Sequence, residues 1–226
     1  MKAALSILCL ILLVGCEKPV ELVDYSLLVH RDGITYMAYE IEPFTGDAIE
    51  LHENGNLKME HHYVNGQMNG FHRGWYDNGQ LQLERHYKEG EWDGLSRWWG
   101  YFGHLGSETN YKDGKEEGIY KAWHSNGQLS AEHTFSGGKA IGLAQAWYEM
   151  ASLKGVGYFK DGKQDGLERE WYESGVVKLE ANYKDGLRDG LQTIFPEDPD
   201  NIYNAYAAPP KCFASGKEVD IGECAE

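Results

Sequence analysis

Positive charge is scarce in this 226-residue sequence, where 21 Lys and Arg stand against 36 Asp and Glu for a formal net charge of -15. That balance argues against a broad basic surface for nucleic acid or anionic lipid and favours a soluble, self-repelling one. Cysteine is scarcer, at four residues, with no CxxC pair and no histidine beyond His133, so a metal-binding spacing is missing. No glycine loop opens a helix as a nucleotide site requires, and there is no nucleophile elbow. The longest apolar run, Ala3 to Gly15, is too short to span a bilayer as a helix. These gaps leave no expected cofactor, metal or catalytic residue.

The apolar run has instead the layout of a secretory signal. Leu13-Val14-Gly15-Cys16 resembles a bacterial lipobox, followed by polar Glu17-Lys18-Pro19. The resemblance implies a leader over 1–15, lipid on Cys16, a tether over 16–27, and a periplasm-facing, membrane-anchored protein; Glu17 leans it toward the outer membrane. An ordinary signal peptide or an uncleaved anchor are the alternatives. With Cys9 leaving and Cys16 acylated, Cys212 and Cys224 remain, with Gly216 and Gly222 between them, and are expected to form a disulfide in an oxidising compartment. Free thiols in a frayed tail are the other possibility.

What the sequence has in quantity is glycine and aromatic residues, and both recur every 24 residues. One glycine column is Gly66, Gly90, Gly114, Gly138, Gly162 and Gly186, and a second is Gly70, Gly94, Gly118, Gly142, Gly166 and Gly190. Trp75, Trp99, Trp123, Trp147, Trp171 and Phe195 form a third, and Tyr63, Tyr87, Tyr111, Phe135, Phe159 and Tyr183 a fourth. Such a period is the signature of a repeat architecture.

Within one unit, Leu81, Leu83, Arg85 and Tyr87 alternate with Gln82, Glu84 and His86, the period of a strand with one apolar face. A second strand is expected from Gly94, with the two glycines of Lys88 to Gly94 reversing the chain between strands. Asp77-Asn78-Gly79, matched by Asn54-Gly55 and Asn126-Gly127, marks the next reversal. Six hairpins give about twelve strands, stacked edge to edge because an isolated hairpin is marginal. The expected fold is all-β, an elongated single-layer antiparallel sheet: a lead-in hairpin over 28–46, six repeats over 47–195, and a tail over 196–226 capping the last edge. Gly100-Tyr101-Phe102-Gly103-His104 and Glu149-Met150-Ala151-Ser152 depart from the turn pattern, and those turns are expected to be built differently.

YDNGQLQLERHYKEGEWDGLSRWW and HSNGQLSAEHTFSGGKAIGLAQAW resemble bacterial MORN-variant repeats, sometimes described as antitoxin-like proteins of the YwqK type. The resemblance covers about residues 28–195 and implies a curved single-layer sheet serving as an interaction surface, with an unknown protein partner and neutralisation of a secreted or envelope partner as one form of it.

The glutamates Glu60, Glu84, Glu108, Glu132 and Glu180 share a column, as do Arg73, Arg97, Lys121 and Arg169. Charge-compensated cross-strand neighbours account for both; a hydrolase using the glutamates is a weaker reading, since equivalent residues lie two strands apart. His61 and His62 point to opposite faces and cannot chelate one ion together. A partner site is expected where the repeat breaks. Trp98 stands in a column otherwise of Gly74, Ala122, Ala146, Glu170 and Ile194, Tyr120 shares its parity, and Tyr101 and Phe102 lie in the aberrant turn. These four rings are the expected contact on a monomeric chain.

Overall fold

The computed structural model describes residues 22–198 and 209–224. The leader over 1–15, Cys16 and the first part of the tether lie outside the described residues.

Each 24-residue unit is one antiparallel hairpin. Leu81–Lys88 runs out, and the chain returns as Glu91–Trp92 and Gly94–Trp99. The reversal uses Glu89 at φ 52° and Gly90 at φ 84°. Two successive left-handed residues make the type I′ turn, whose twist matches that of the strands it joins. Asn65-Gly66, Asp113-Gly114, Asp161-Gly162 and Asp185-Gly186 repeat it, with Asn or Asp at the position they tolerate best among residues bearing a side chain.

The second glycine column corrects the sequence reading. The return strand starts at Glu91, and Gly94 lies inside the return as a bulge rather than at a hairpin end. Tyr87 pairs with Trp92 while Glu84 pairs with Arg97, so the return carries two residues more than its partner over that stretch. Gly70 and Gly142 sit within the continuous strands Gln67–Trp75 and Lys139–Trp147, and elsewhere the bulge splits the return. With those splits and short strands added at both ends, the sheet has 20 strand segments in place of about twelve.

The aberrant turns are also corrected. In the regular turn, the Gly79 N–H donates to the Tyr76 carbonyl (2.9 Å) and the Tyr76 N–H to the Gln80 carbonyl (2.9 Å). Gly103 N–H bonds the Gly100 carbonyl (2.8 Å) and Ala151 N–H the Tyr148 carbonyl (2.9 Å) in the same way. Gly103 is already in the required place, and Ala151 is held at φ 64° without being glycine.

The sheet ends are built from outside the repeat. Leu22–Asp24 adds in parallel to Gly46–Leu51. A separate hairpin, Leu28–Arg31 with Ile34–Met37, accompanies it, and Val23, Leu28, Phe44, Ala48 and Tyr63 form the buried apolar cluster of the molecule's described residues. The Thr35 N–H donates to the Gly66 carbonyl (2.8 Å), and a Cβ on Gly66 would come within 2.7 Å of the Thr35 carbonyl oxygen, so only glycine lets the two backbones meet. At the other end Lys211–Ala214 pairs with Gly190–Ile194 and then with Lys217–Val219. Cys212 and Cys224 are joined in a disulfide with Cα atoms 5.8 Å apart.

Candidate interaction surface

Cross-strand partners share a face, so the register sorts the columns. Glu60, Arg73, Glu84, Arg97, Glu108, Lys121 and Glu132 are successive partners across the sheet. Arg73 Nε lies 2.8 Å from Glu84, Arg97 Nε 3.3 Å from Glu108, and Lys121 Nζ 3.5 Å from Glu132. The ladder lapses at Gln145 and Val156 and resumes with Arg169 and Glu180. Each glutamate thus has a cation as a cross-strand neighbour, on both sides for Glu84 and Glu108, and none faces a second carboxylate, an arrangement for holding strands in register and not for paired acid–base work.

The opposite face is the more buried one. His61, Tyr63, His72, Thr109, Ala144, Ala181 and Gln192 are, glycines apart, the buried residues of the six hairpins and their turns. His61 and His72 are partners across the first hairpin, their Nδ1 atoms 3.0 Å apart, and the Tyr25 ring stacks on His61 at 4.7 Å. Burial pushes both imidazoles below their usual value, His72 to about 4. His62, on the charged face, bonds Asp47 at 2.5 Å.

Side chains at the turns between successive hairpins tie those hairpins together. Tyr76 Oη donates to the Trp99 carbonyl (2.9 Å), Tyr148 to Trp171 (2.8 Å) and Tyr172 to Phe195 (3.0 Å), while His52 and His124 reach the Trp75 and Trp147 carbonyls. Asn54, Asn78 and Asn126 donate to the carbonyls of Asp77, Tyr101 and Glu149. Both columns lapse at one turn: Gly100 replaces the tyrosine, with the His104 ring filling its place, and Phe102 replaces the asparagine. Phe102 is 88% exposed; Met150, in the same column two units on, is 77% exposed.

The structure divides the four rings expected at a partner site. Tyr101 and Phe102 stand together, centroids 5.6 Å apart, with Tyr101 against Tyr76 and its hydroxyl donating to Asp77 (3.1 Å). That carboxylate raises the Tyr101 phenol above its ordinary range. Trp98 lies on the more buried face, where its ring covers the bare backbone of Gly106, leaving 45% of the residue exposed. Other units place an ion pair there, Glu50 with Lys58 (2.6 Å) and Glu170 with Lys178 (3.0 Å). Tyr120 packs on His133 and Phe135. The lack of glycine in its turn does not single out Met150; its column with Asn54, Asn78, Phe102 and Asn126 is the signal in the sequence.

Residues 44–65, 69–89, 116–136 and 164–185 each match the MORN repeat variant family. No curated protein matches the chain. The two hairpin units left between the matches, 90–115 and 137–163, hold Phe102 and Met150. The four matched segments are similar to the MORN repeat variant, and the hairpin sheet continues the same architecture through the two unmatched units.

Proposed function

We propose that the chain is a protein-binding module, tethered through lipid on Cys16 and facing the periplasm of a bacterial envelope. The observation that carries the binding role is the exchange of an inter-hairpin tie for an exposed apolar side chain at Phe102 and Met150, in the two units that the family pattern does not match. The side chain that would hold the sheet to itself is given up, and a large apolar group faces solvent. Phenylalanine and methionine are among the residue types enriched in protein interfaces relative to the rest of the surface. The two turns are four strands apart, about 19 Å at ~4.8 Å per strand, so a partner would engage both from one edge of the sheet, with Tyr101 beside the first. The glutamate ladder, in which each carboxylate has a cationic cross-strand neighbour, favours this over hydrolysis. Neutralisation of an envelope partner is one form the binding could take.

Two measurements test it. Fatty-acid labelling in cells should tag the natural chain and not Cys16→Ser; equal labelling would remove the tether. Partners cross-linked to the natural chain in envelopes should be lost with Phe102→Ser and Met150→Ser combined, at an unchanged unfolding midpoint. Retention of the same partners at the same yield would remove the proposed surface.

A further inference from the structure

The lead-in hairpin ends in a loop that no repeat contains. Its base is fixed: Tyr36 bridges to Pro43, the Phe44 N–H donates to the Thr35 carbonyl (2.9 Å), and the Ala38 N–H to the Leu27 carbonyl (2.7 Å). Its tip is a turn closed from the Glu40 N–H to the Met37 carbonyl (3.1 Å), with Tyr39 at φ 72° in the place where such a turn favours glycine. A strained backbone that presents an aromatic ring calls for something to receive it. Tyr39 is fully exposed, Ile41 is 85% exposed, and Leu27 at the base is half exposed.

We propose that Tyr39 and Ile41 dock the sheet on the surface of a zwitterionic phospholipid bilayer. The inference rests on the lipid tether of the preceding reading. Leu22 is six steps along the chain from Cys16, so the tether reaches at most about 20 Å at ~3.4 Å per residue, and Leu22–Asp24 belongs to the same packed end as the loop, through Val23, Leu28 and Phe44. A tether that keeps the local concentration high strengthens a contact that free protein makes only weakly. Tyrosine suits the headgroup level and isoleucine the acyl boundary. Glu40 and Glu42, flanking the tip, select against anionic lipid.

The test places an environment-sensitive label on Ile41→Cys and, separately, on Glu173→Cys at a distant turn of the full chain, with vesicles of phosphatidylcholine and phosphatidylethanolamine as the probe. Emission at 41 should rise about twofold and shift to the blue, as it does on entry to an interface, while 173 stays unchanged. Adding phosphatidylglycerol should weaken the response. No change at 41, an equal change at both sites, or a response that grows with anionic lipid would overturn the docking. The mass of each preparation reports lipid on Cys16 separately. A response at 41 with Cys16 bare keeps the docking and removes the tether; a lipidated chain silent at 41 does the reverse.

Discussion

The indole of Trp98 occupies the space that a Cβ on Gly106 would need. The two residues are a matched pair, replacing the Glu–Lys pair of the units at Glu50 and Glu170, and the ring shields backbone that a glycine leaves bare. Gly106→Ala should therefore cost about 1–3 kcal/mol by displacing the ring. In a Trp98→Ala background the same change should be neutral or stabilise by about 0.5–1 kcal/mol, since glycine is a poor strand residue. Denaturant unfolding of the four proteins decides it, and an equal cost in both backgrounds would rule the coupling out.

Ala151 occupies the left-handed position that Gly55, Gly79, Gly103, Gly127 and Gly175 fill in the other turns. A residue with a Cβ pays for that conformation. Ala151→Gly should stabilise the protein by about 1 kcal/mol, seen as a higher urea midpoint at constant slope. A lower midpoint would mean that the methyl group packs usefully.

The His61–His72 hydrogen bond requires one ring to donate and the other to accept, so it tolerates no second proton. An unfolded histidine takes up its proton near 6.5, whereas burial, then His61 and then Arg85, hold folded His72 down to about 4. Between those values the unfolded chain binds more protons, so stability is complete above pH 6.5 and falls as pH drops toward 4. His72 contributes up to about 3 kcal/mol to this loss, and His61 acts in the same direction. Urea midpoints at pH 7.5 and pH 5 should differ more in the natural chain than in His72→Gln, where His61 alone remains; parallel pH profiles for the two proteins would exclude the pair as the cause.

Joining Cys212 to Cys224 constrains the strand that covers Gly190–Ile194. Reduction should destabilise the folded protein by about 3 kcal/mol on the chain-entropy estimate and raise amide exchange at Leu191 and Gln192 before it does so at Leu83. Uniform acceleration across the sheet would show instead that the end strand carries the stability of the whole.

The hairpin period was legible because each column answers to a local demand: the turn glycines to backbone sign, the alternating residues to the pleat, the Glu and Arg columns to cross-strand pairing. What depends on register was not legible. His61 adjoins His62 in sequence, yet its partner is His72, brought opposite by the Gly66 turn and the Gly70 bulge. The role of Gly94 needed the count of residues on both strands. The ties from Tyr76, Tyr148 and Tyr172 span 23 residues and emerge only when neighbouring hairpins are laid side by side. Trp98 and Tyr120 share a face, as parity required, but parity does not reveal that each ring already has a surface to lie on.

Between Lys139–Trp147 and Leu153–Lys160, three weaknesses coincide. Gln145 faces Val156 where neighbouring strands carry opposite charges, Ala146 and Ala144 face Gly155 and Gly157 on the other side, and the connecting turn contains the strained Ala151. Elements that touch only their neighbours hold together as strongly as each shared boundary. This boundary is a fault line: under load or denaturant the molecule should part there into two half-sheets, each with one terminal closure of its own, before either half loses its hairpins.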